Sequence, residues 1–261
     1  MKGFTSPLNP AFSAFWRRKG NCIAEARPRC RESLPGRRAT RLRAANQVWS
    51  WDITYLATTI TGLFFRLYLV MDIYSRKIVG WEIHENETAE HAATLIRKAC
   101  LSEGIGQREL VLHSDNGSPM KGASMLATLQ RLGVVPSFSR PSVSNDNPYS
   151  ESLFGTMKYT PAYRSKPFAD LAEAREWVYR FVLWYNEVHR HSGIRFVTPV
   201  QRHRGEDREI LAKRKAVYEA AKERNPTRWS GETRDWSPDT EVWLNLGNPA
   251  TNEMEITNRA V

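Results

Sequence analysis

Val48-Trp49-Ser50-Trp51-Asp52-Ile53-Thr54-Tyr55-Leu56 reads as a β-strand rich in aromatic and β-branched residues, with a carboxylate set within it. A second carboxylate, Asp115, closes the run Leu110-Val111-Leu112-His113-Ser114, and a third, Glu151, falls just inside a helical stretch. All three are read as lying at the edges of their segments. Carboxylates at the ends of buried strands are costly to desolvate unless a positive charge sits between them. Three converging ones therefore read as a cage for a hard divalent cation. Between Asp115 and Glu151 lie 35 residues, room for one helix, one strand and a loop. The pattern points to a metal-dependent phosphoryl-transfer site.

Working outward, three strands are expected in quick succession, Val48 to Ala57, Phe64 to Ile73 and Lys77 to His84. Thr61-Gly62 and Tyr74-Ser75-Arg76 separate them, so they read as an antiparallel meander. A helix follows from about Thr88 to Leu101, with Ala92, Ala93, Leu95, Ile96 and Ala99 on its packing face. Leu110 to His113 is the fourth strand. Gly122 to Arg131 is read as helical, stopping at Gly133, and Val134 to Ser139 as a fifth strand whose Pro136 places it at an edge. After a polar loop, Asn147 and Pro148 read as the N-cap and first residue of the helix carrying Glu151. Leu171 to His189 is a second long helix, capped by Asp170. Beyond Arg202 the chain is charged and helical through about Glu223, then rich in Trp, Asn, Pro and Gly.

This order, three strands, helix, strand, helix, strand and then helices, is that of an α/β, ribonuclease H-like mixed five-stranded sheet flanked by helices. In that fold the first and fourth strands are neighbours, which puts Asp52 beside Asp115. The expected organisation is a basic irregular leader over 1–46, a catalytic core over 47–205 and a charged helical and irregular extension over 206–261.

Composition narrows the partners. With 261 residues and 41% hydrophobic content, the chain can bury the core of one ordinary mixed domain. Apolar runs such as Leu67 to Met71 are far below the roughly 18 residues a spanning helix needs. The N-terminus has no signal-peptide pattern, so the expectation is a cytoplasmic, nucleoid-associated protein with no membrane partner. Cys22, Cys30 and Cys100 form no CxxC pair, which argues against a disulfide framework or a cysteine zinc site. The net charge is +10, and residues 1–46 hold eleven Lys and Arg against two Glu, a net of +9. The basicity belongs to the leader. It reads either as an arm along DNA phosphates or as an extension with little specific role.

A phosphodiester is attacked in line by water or a 3′-hydroxyl, and two Mg²⁺ or Mn²⁺ ions can stabilise the entering and leaving oxygens. In this reading Asp52 bridges both ions, Asp115 holds one and Glu151 the other. Lys158, seven residues after Glu151, returns to the same helical face roughly 10 Å along and is expected to touch a DNA phosphate. Asn116, Ser144, Asn145 and Asn147 join it as expected DNA contacts. Asp72, with Ser75 and Arg76 beside it, reads as the cap of a turn. His113 reads equally as ligand-orienting or packed, and His189 with His191 is too small a set for zinc. Trp184-Tyr185-Asn186 with Arg190 and His191 reads as a join between helix and core, the other reading being a reach to DNA. No GxxxxGK[ST] sequence occurs, and none is needed, because exchanging one phosphodiester for another is close to energy-neutral.

Trp51-Asp52-Ile53-Thr54-Tyr55, Val70 to Trp81, His113-Ser114-Asp115-Asn116-Gly117 and Asn147 to Phe154 with Lys158 resemble the integrase-core transposases of bacterial insertion sequences. Trp184-Tyr185-Asn186 through His191 to Thr198-Pro199 is similar to the same group, the second-frame product of the IS-three family, related to retroviral integrases. The resemblance covers about residues 47–205. It implies that Asp52, Asp115 and Glu151 are the catalytic triad, that the reaction is end cleavage followed by strand transfer, and that the enzyme works as a homo-multimer on DNA ends and a target duplex. It also implies helical DNA-binding segments upstream, often supplied by a first reading frame. The proline-interrupted leader is unlike them, so an upstream-frame partner is a candidate. Two other readings stay open: a ribonuclease H-type nuclease that only hydrolyses, and a truncated, non-targeting DNA-binding relic.

Overall fold

Alternation along β2 (Val48–Ala57) decides the layering. Trp49, Trp51 and Ile53 enter one apolar cluster, while Leu56 enters a second on the opposite side of the sheet, as a period of two requires. β3 (Phe64–Asp72) repeats the split, with Tyr68 and Val70 on one side and Leu67, Leu69 and Met71 on the other. The computed structural model describes residues 40–106, 109–140, 146–160 and 166–244, all within one compact unit.

With β4 (Ile78–His84), β5 (Leu110–Ser114) and β6 (Val134–Phe138), the sheet has the order β4-β3-β2-β5-β6. The first three strands form the expected antiparallel meander, and β5 and β6 join it in parallel. This is the ribonuclease H-like arrangement, with β6 at an edge.

Parallel neighbours need crossovers, and helices on one face supply them. α1 (Ala89–Ser102) leads from β4 to β5, and α2 (Ser118–Lys121) with α3 (Ala123–Leu132) leads from β5 to β6. The Thr88 side chain caps α1 by accepting from the N–H of His91 at 3.2 Å. Gly80 lets α1 lie close against β4: a Cβ there would stand 3.1 Å from both Ala99 Cβ and Leu95 Cδ1. α3 ends where Gly133 takes φ 68°, the left-handed stop read from the sequence. The one-turn α2 was not expected, because Gly117, Pro119 and Gly122 hide its pattern.

On the other face lie α4 (Pro148–Tyr159) and α5 (Leu171–Glu187). The Asp170 carboxylate caps α5 by accepting from the N–H of Glu173 at 2.8 Å. Asn186 fastens α5 to the sheet like an extra strand: its amide accepts from Ile78 N–H at 2.9 Å and donates to Ile78 C=O at 3.0 Å. The joining role read for this segment is thus carried by Asn186, with the ring of Tyr185 buried beside it.

One expectation about the flanks needs correction. Residues 40–42 are not irregular: β1 (Thr40–Leu42) pairs antiparallel with β7 (Val242–Leu244), Thr40 opposite Leu244. The extension also returns to the core. After α6 (Pro199–His203) and α7 (Asp207–Arg224) the chain runs back past Arg202, which is 1% exposed. Arg202 Nε donates to Tyr74 C=O at 2.9 Å and its Nη2 to Asp239 C=O at 2.8 Å. Tyr149 Oη of α4 donates to Trp243 C=O at 2.6 Å. Among the described residues no helix is long and apolar enough to cross a membrane.

Asp72 is fully buried and caps the turn between β3 and β4, accepting from Ser75 N–H at 2.8 Å, Ser75 Oγ at 2.5 Å and Asn46 N–H at 2.9 Å. Arg76 closes the turn at φ 67°, a left-handed backbone that costs a non-glycine residue on the order of 1 kcal/mol. His203 stands 2.9 Å from both Ser75 Oγ and Glu103 Oε2, and Lys77 Nζ is 2.6 Å from Glu103 Oε1. Burial alone would raise the Glu103 pKa, but the bonds from His203 and Lys77 outweigh it and hold it at about 2, against an ordinary 4.5. Burial would lower that of His203, yet bonds to Asp72 and Glu103 leave it raised above 6.5. The Glu103 contribution to stability is present above pH 4.5 and lost as pH falls towards 2. The His203 contribution is present below pH 6.5 and lost as pH rises through its raised value. Urea midpoints should therefore be highest between about pH 4.5 and 6.5, and Glu103→Gln should flatten the acid side of that profile.

Candidate active site

Pairing between β2 and β5 ends at Trp51 opposite Ser114. The next residues along the two parallel strands are Asp52 and Asp115. Asp52 is not at a strand end, as the sequence was read, because β2 continues to Ala57 against β3. What ends beside Asp52 is its pairing with β5, and a carboxylate there meets less apolar packing than one in mid-sheet.

Side-chain alternation sets both aspartates on the α4 side. Asp52 shares that side with Ser50, and Asp115 with His113, both fully buried. Buried polar groups need partners, and the residues leading into α4 provide them. Ser50 Oγ donates to Asn147 Oδ1 at 2.5 Å and lies 2.6 Å from Ser150 Oγ. Asn147 Nδ2 donates to Trp51 C=O at 3.4 Å. His113 Nε2 lies 2.9 Å from Asp146 C=O and must donate to it, so the neutral ring accepts through Nδ1 from Ser137 Oγ at 3.1 Å. His113 is therefore a tie between β5, β6 and the start of α4. The Arg140 backbone N–H and guanidinium grip the Asp146 carboxylate at 2.7 to 3.3 Å, and Arg140 holds its pKa below the usual range.

This docking fixes the first turn of α4 and with it Glu151. Partial burial of the carboxyl and then the negative charge of Asp115 raise the Glu151 pKa. Asp115 Oδ1 accepts from Ser139 Oγ at 2.8 Å, and Asp52 Oδ1 accepts from the N–H of Ile53 at 2.7 Å. Among the described residues, no three acidic, His or Cys side chains stand close enough to grip one ion. The expected convergence within one ion's reach is thus not met in this conformation. Like charges without a cation repel, and Glu151 registers that repulsion. The donor set, all hard carboxylate oxygen, fits Mg²⁺ or Mn²⁺.

The expected DNA contacts fare unevenly. Lys158 lies in the last turn of α4, half-buried, and its desolvation lowers its pKa. Asn147 is 1% exposed and both ends of its amide are engaged with β2, so it is a docking residue and not a DNA contact. It occupies the N-cap position of α4 without a side-chain capping bond, for the same reason. Asn116 is exposed, but its Nδ2 donates to Ser139 C=O at 2.6 Å, holding the end of β5 to β6. Ser144 and Asn145 lie outside the described residues. The sequence reading missed Ser50, Ser139 and the Arg140–Asp146 clamp. Parity could have found the first, since Ser50 is a hydroxyl at a core position two residues before Asp52.

The integrase core domain pattern matches residues 43–144, and a second pattern of the same description matches residues 132–199. Residues 43–199 thus match the integrase core domain. These domains belong to polynucleotidyl transferases, and divalent-metal dependence is general among them. The chain is 31% identical over 157 residues to the transposase for insertion sequence element IS904 of Lactococcus lactis, covering 60% of each protein. It is equally similar over 157 residues to transposase InsF for insertion sequence IS3A of Escherichia coli, covering 53% of that protein. The chain therefore spans between half and two thirds of the length of these relatives. In three dimensions it overlays a chain of the simian T-cell lymphotropic virus intasome, solved with PP2A regulatory subunit B56 gamma, at a TM-score of 0.53 and 17% identity. That overlay covers 66% of this chain and 59% of the viral one.

Two outcomes test the geometry without any reaction. Ser50→Val removes the hydroxyl that satisfies Asn147 and Ser150, and urea denaturation should show a loss of about 2 kcal/mol. Asp115→Asn removes one cause of the Glu151 shift, so a carboxyl NMR titration should show the Glu151 pKa falling towards its ordinary value.

Proposed function

We propose that this chain is a DDE transposase that cleaves the ends of an insertion element and transfers them into a target duplex, with Asp52, Asp115 and Glu151 as its catalytic and metal-holding residues. The observation that carries the reading is that Asp52 and Asp115 each follow the last paired residue of two adjacent parallel strands, with Glu151 near enough to feel the charge of Asp115. The likeness to the two transposases supports the same conclusion.

The chain's own residues prepare the site in three ways. The strand pairing holds Asp52 and Asp115 side by side, and Ser139 Oγ orients the Asp115 carboxylate. Ser50, Asn147 and Ser150 hold the first turn of α4, so Glu151 faces the aspartates on a rigid element and not on a loop. Lys158, at the far end of the same helix, offers a cation to a phosphate of the strand lying along α4. Bound Mg²⁺ or Mn²⁺, two ions when DNA is present, would stabilise the attacking and leaving oxygens of the in-line exchange. The basic leader, an upstream-frame partner and assembly into a homo-multimer would supply end recognition and pairing. A nucleoid location follows from the substrate.

Incubating the full chain with a pre-cut DNA end, a target duplex and Mg²⁺ or Mn²⁺ tests this directly. Joined product is expected, and Asp52→Asn, Asp115→Asn and Glu151→Gln should each reduce joining to background with an unchanged far-UV circular dichroism spectrum. Nicking or degradation without joining would instead identify a hydrolytic nuclease. Joining that persists in Asp52→Asn would refute the triad.

A further inference from the structure

The guanidinium of Arg76 is held at the surface of the core without a counter-charge. Among the described residues no carboxylate pairs with it, and its Nη1 is buried with no hydrogen-bond partner. It lies over the ring of Tyr149 at 4.0 Å, which offers a π-face but no neutralising anion. Arg202 adds a second positive charge nearby. After burial, Arg76 is the largest of the charges that push the His191 pKa down to about 4, with His189 and Arg202 acting in the same direction. A buried guanidinium nitrogen needs an acceptor, and the described part of the chain does not provide one. The left-handed backbone at Arg76 points the same way, since strain retained at a position glycine would fill more easily marks a side chain with a task.

Arg76 lines a cavity of about 190 Å³ together with Tyr149, Ser152, Leu153, Tyr185 and His191. Its polar members are donors. His191 Nδ1 accepts from the N–H of Gly193 at 3.0 Å, so its neutral ring carries the proton on Nε2. Ser152 contributes a hydroxyl from an exposed position on α4. A guanidinium, an imidazole N–H and a hydroxyl, set among aromatic and aliphatic walls, match a singly charged group with several acceptor oxygens. Ser152 follows Glu151 on α4, about 100° further around the helix, so the opening lies on the flank beside the face of Glu151.

We propose that this cavity is a subsite for a backbone phosphate of the DNA strand lying along α4, with Arg76 as its charged donor and Ser152 and His191 as neutral ones. The subsite rests on the DNA-processing reading above. It explains why the free protein carries an unmatched cation: its partner arrives with the substrate.

Fluorescence anisotropy of a labelled duplex with the full chain, in EDTA and across roughly 50 to 200 mM salt, reads the subsite without catalysis. Each phosphate contact contributes about 0.9 to the slope of log affinity against log salt. Arg76→Gln should make the slope shallower by about that amount and weaken unrelated sequences alike. Arg76→Lys should keep the wild-type slope. Ser152→Ala, at an exposed helical position, should weaken binding about fivefold with the slope unchanged. The melting temperature of Arg76→Gln should not fall, because an unmatched charge is removed. A wild-type slope in Arg76→Gln overturns the proposal, as does a lowered melting temperature without a slope change, which would make Arg76 a prop for Tyr149. Asp52→Asn, run alongside, should bind with the wild-type slope. If it also joins strands, the triad fails and the subsite stands. If the wild-type chain binds no duplex, both fail.

Discussion

The parallel pairing of β2 with β5 is the constraint from which the rest of this molecule follows. It sets two aspartates side by side where the ladder between those strands stops, and it leaves Ser50 and His113 buried on a face that is otherwise apolar. Those two polar groups cannot be left unbonded, so the segment from Asp146 to Ser150 is drawn onto them. The third carboxylate arrives as a result of that docking. The acidic centre is thus assembled by satisfying hydroxyl and imidazole groups, because its own charges oppose the assembly.

That opposition gives the site its character. Partial burial and then the charge of Asp115 raise the Glu151 pKa, so burial and like charge both oppose a closer approach of these carboxylates. Asp52 lies within β2 and Asp115 directly follows β5, whereas Glu151 sits in the first turn of α4. Arg76 carries the opposite imbalance on the neighbouring flank of α4, a cation with no anion. A substrate that combines a bound cation with phosphates would relieve both.

The sequence made the sheet and the aspartates legible for a simple reason. Alternation in β2 and β5 is strong, the helices between them have clear apolar faces, and side-chain parity then leaves no choice about which residues share a face. Asn147 was misread because a polar residue in a polar loop looks exposed, and nothing local reveals that Ser50, almost a hundred positions earlier, needs its carbonyl oxygen. The bond from exposed Asn116 to the Ser139 carbonyl was equally hidden, because its partner lies just past another strand. β1 and β7 were invisible because three residues carry no measurable period and their partners lie some two hundred positions apart. Local patterns speak for elements, whereas contacts between distant single residues emerge only in the folded chain.

The short ribbon of β1 and β7 joins the entrance of the described fold to its exit, with Thr40 opposite Leu244. Because the strands run antiparallel, tension applied to the two flanks would load their hydrogen bonds one after another, and the ribbon would peel open like a zipper before the central sheet felt any force. Tyr149, bonded to Trp243, ties that ribbon to the helix of Glu151. Pulling on the flanks would therefore reach the acidic centre both through that phenol and along the chain that leads from β1 into β2.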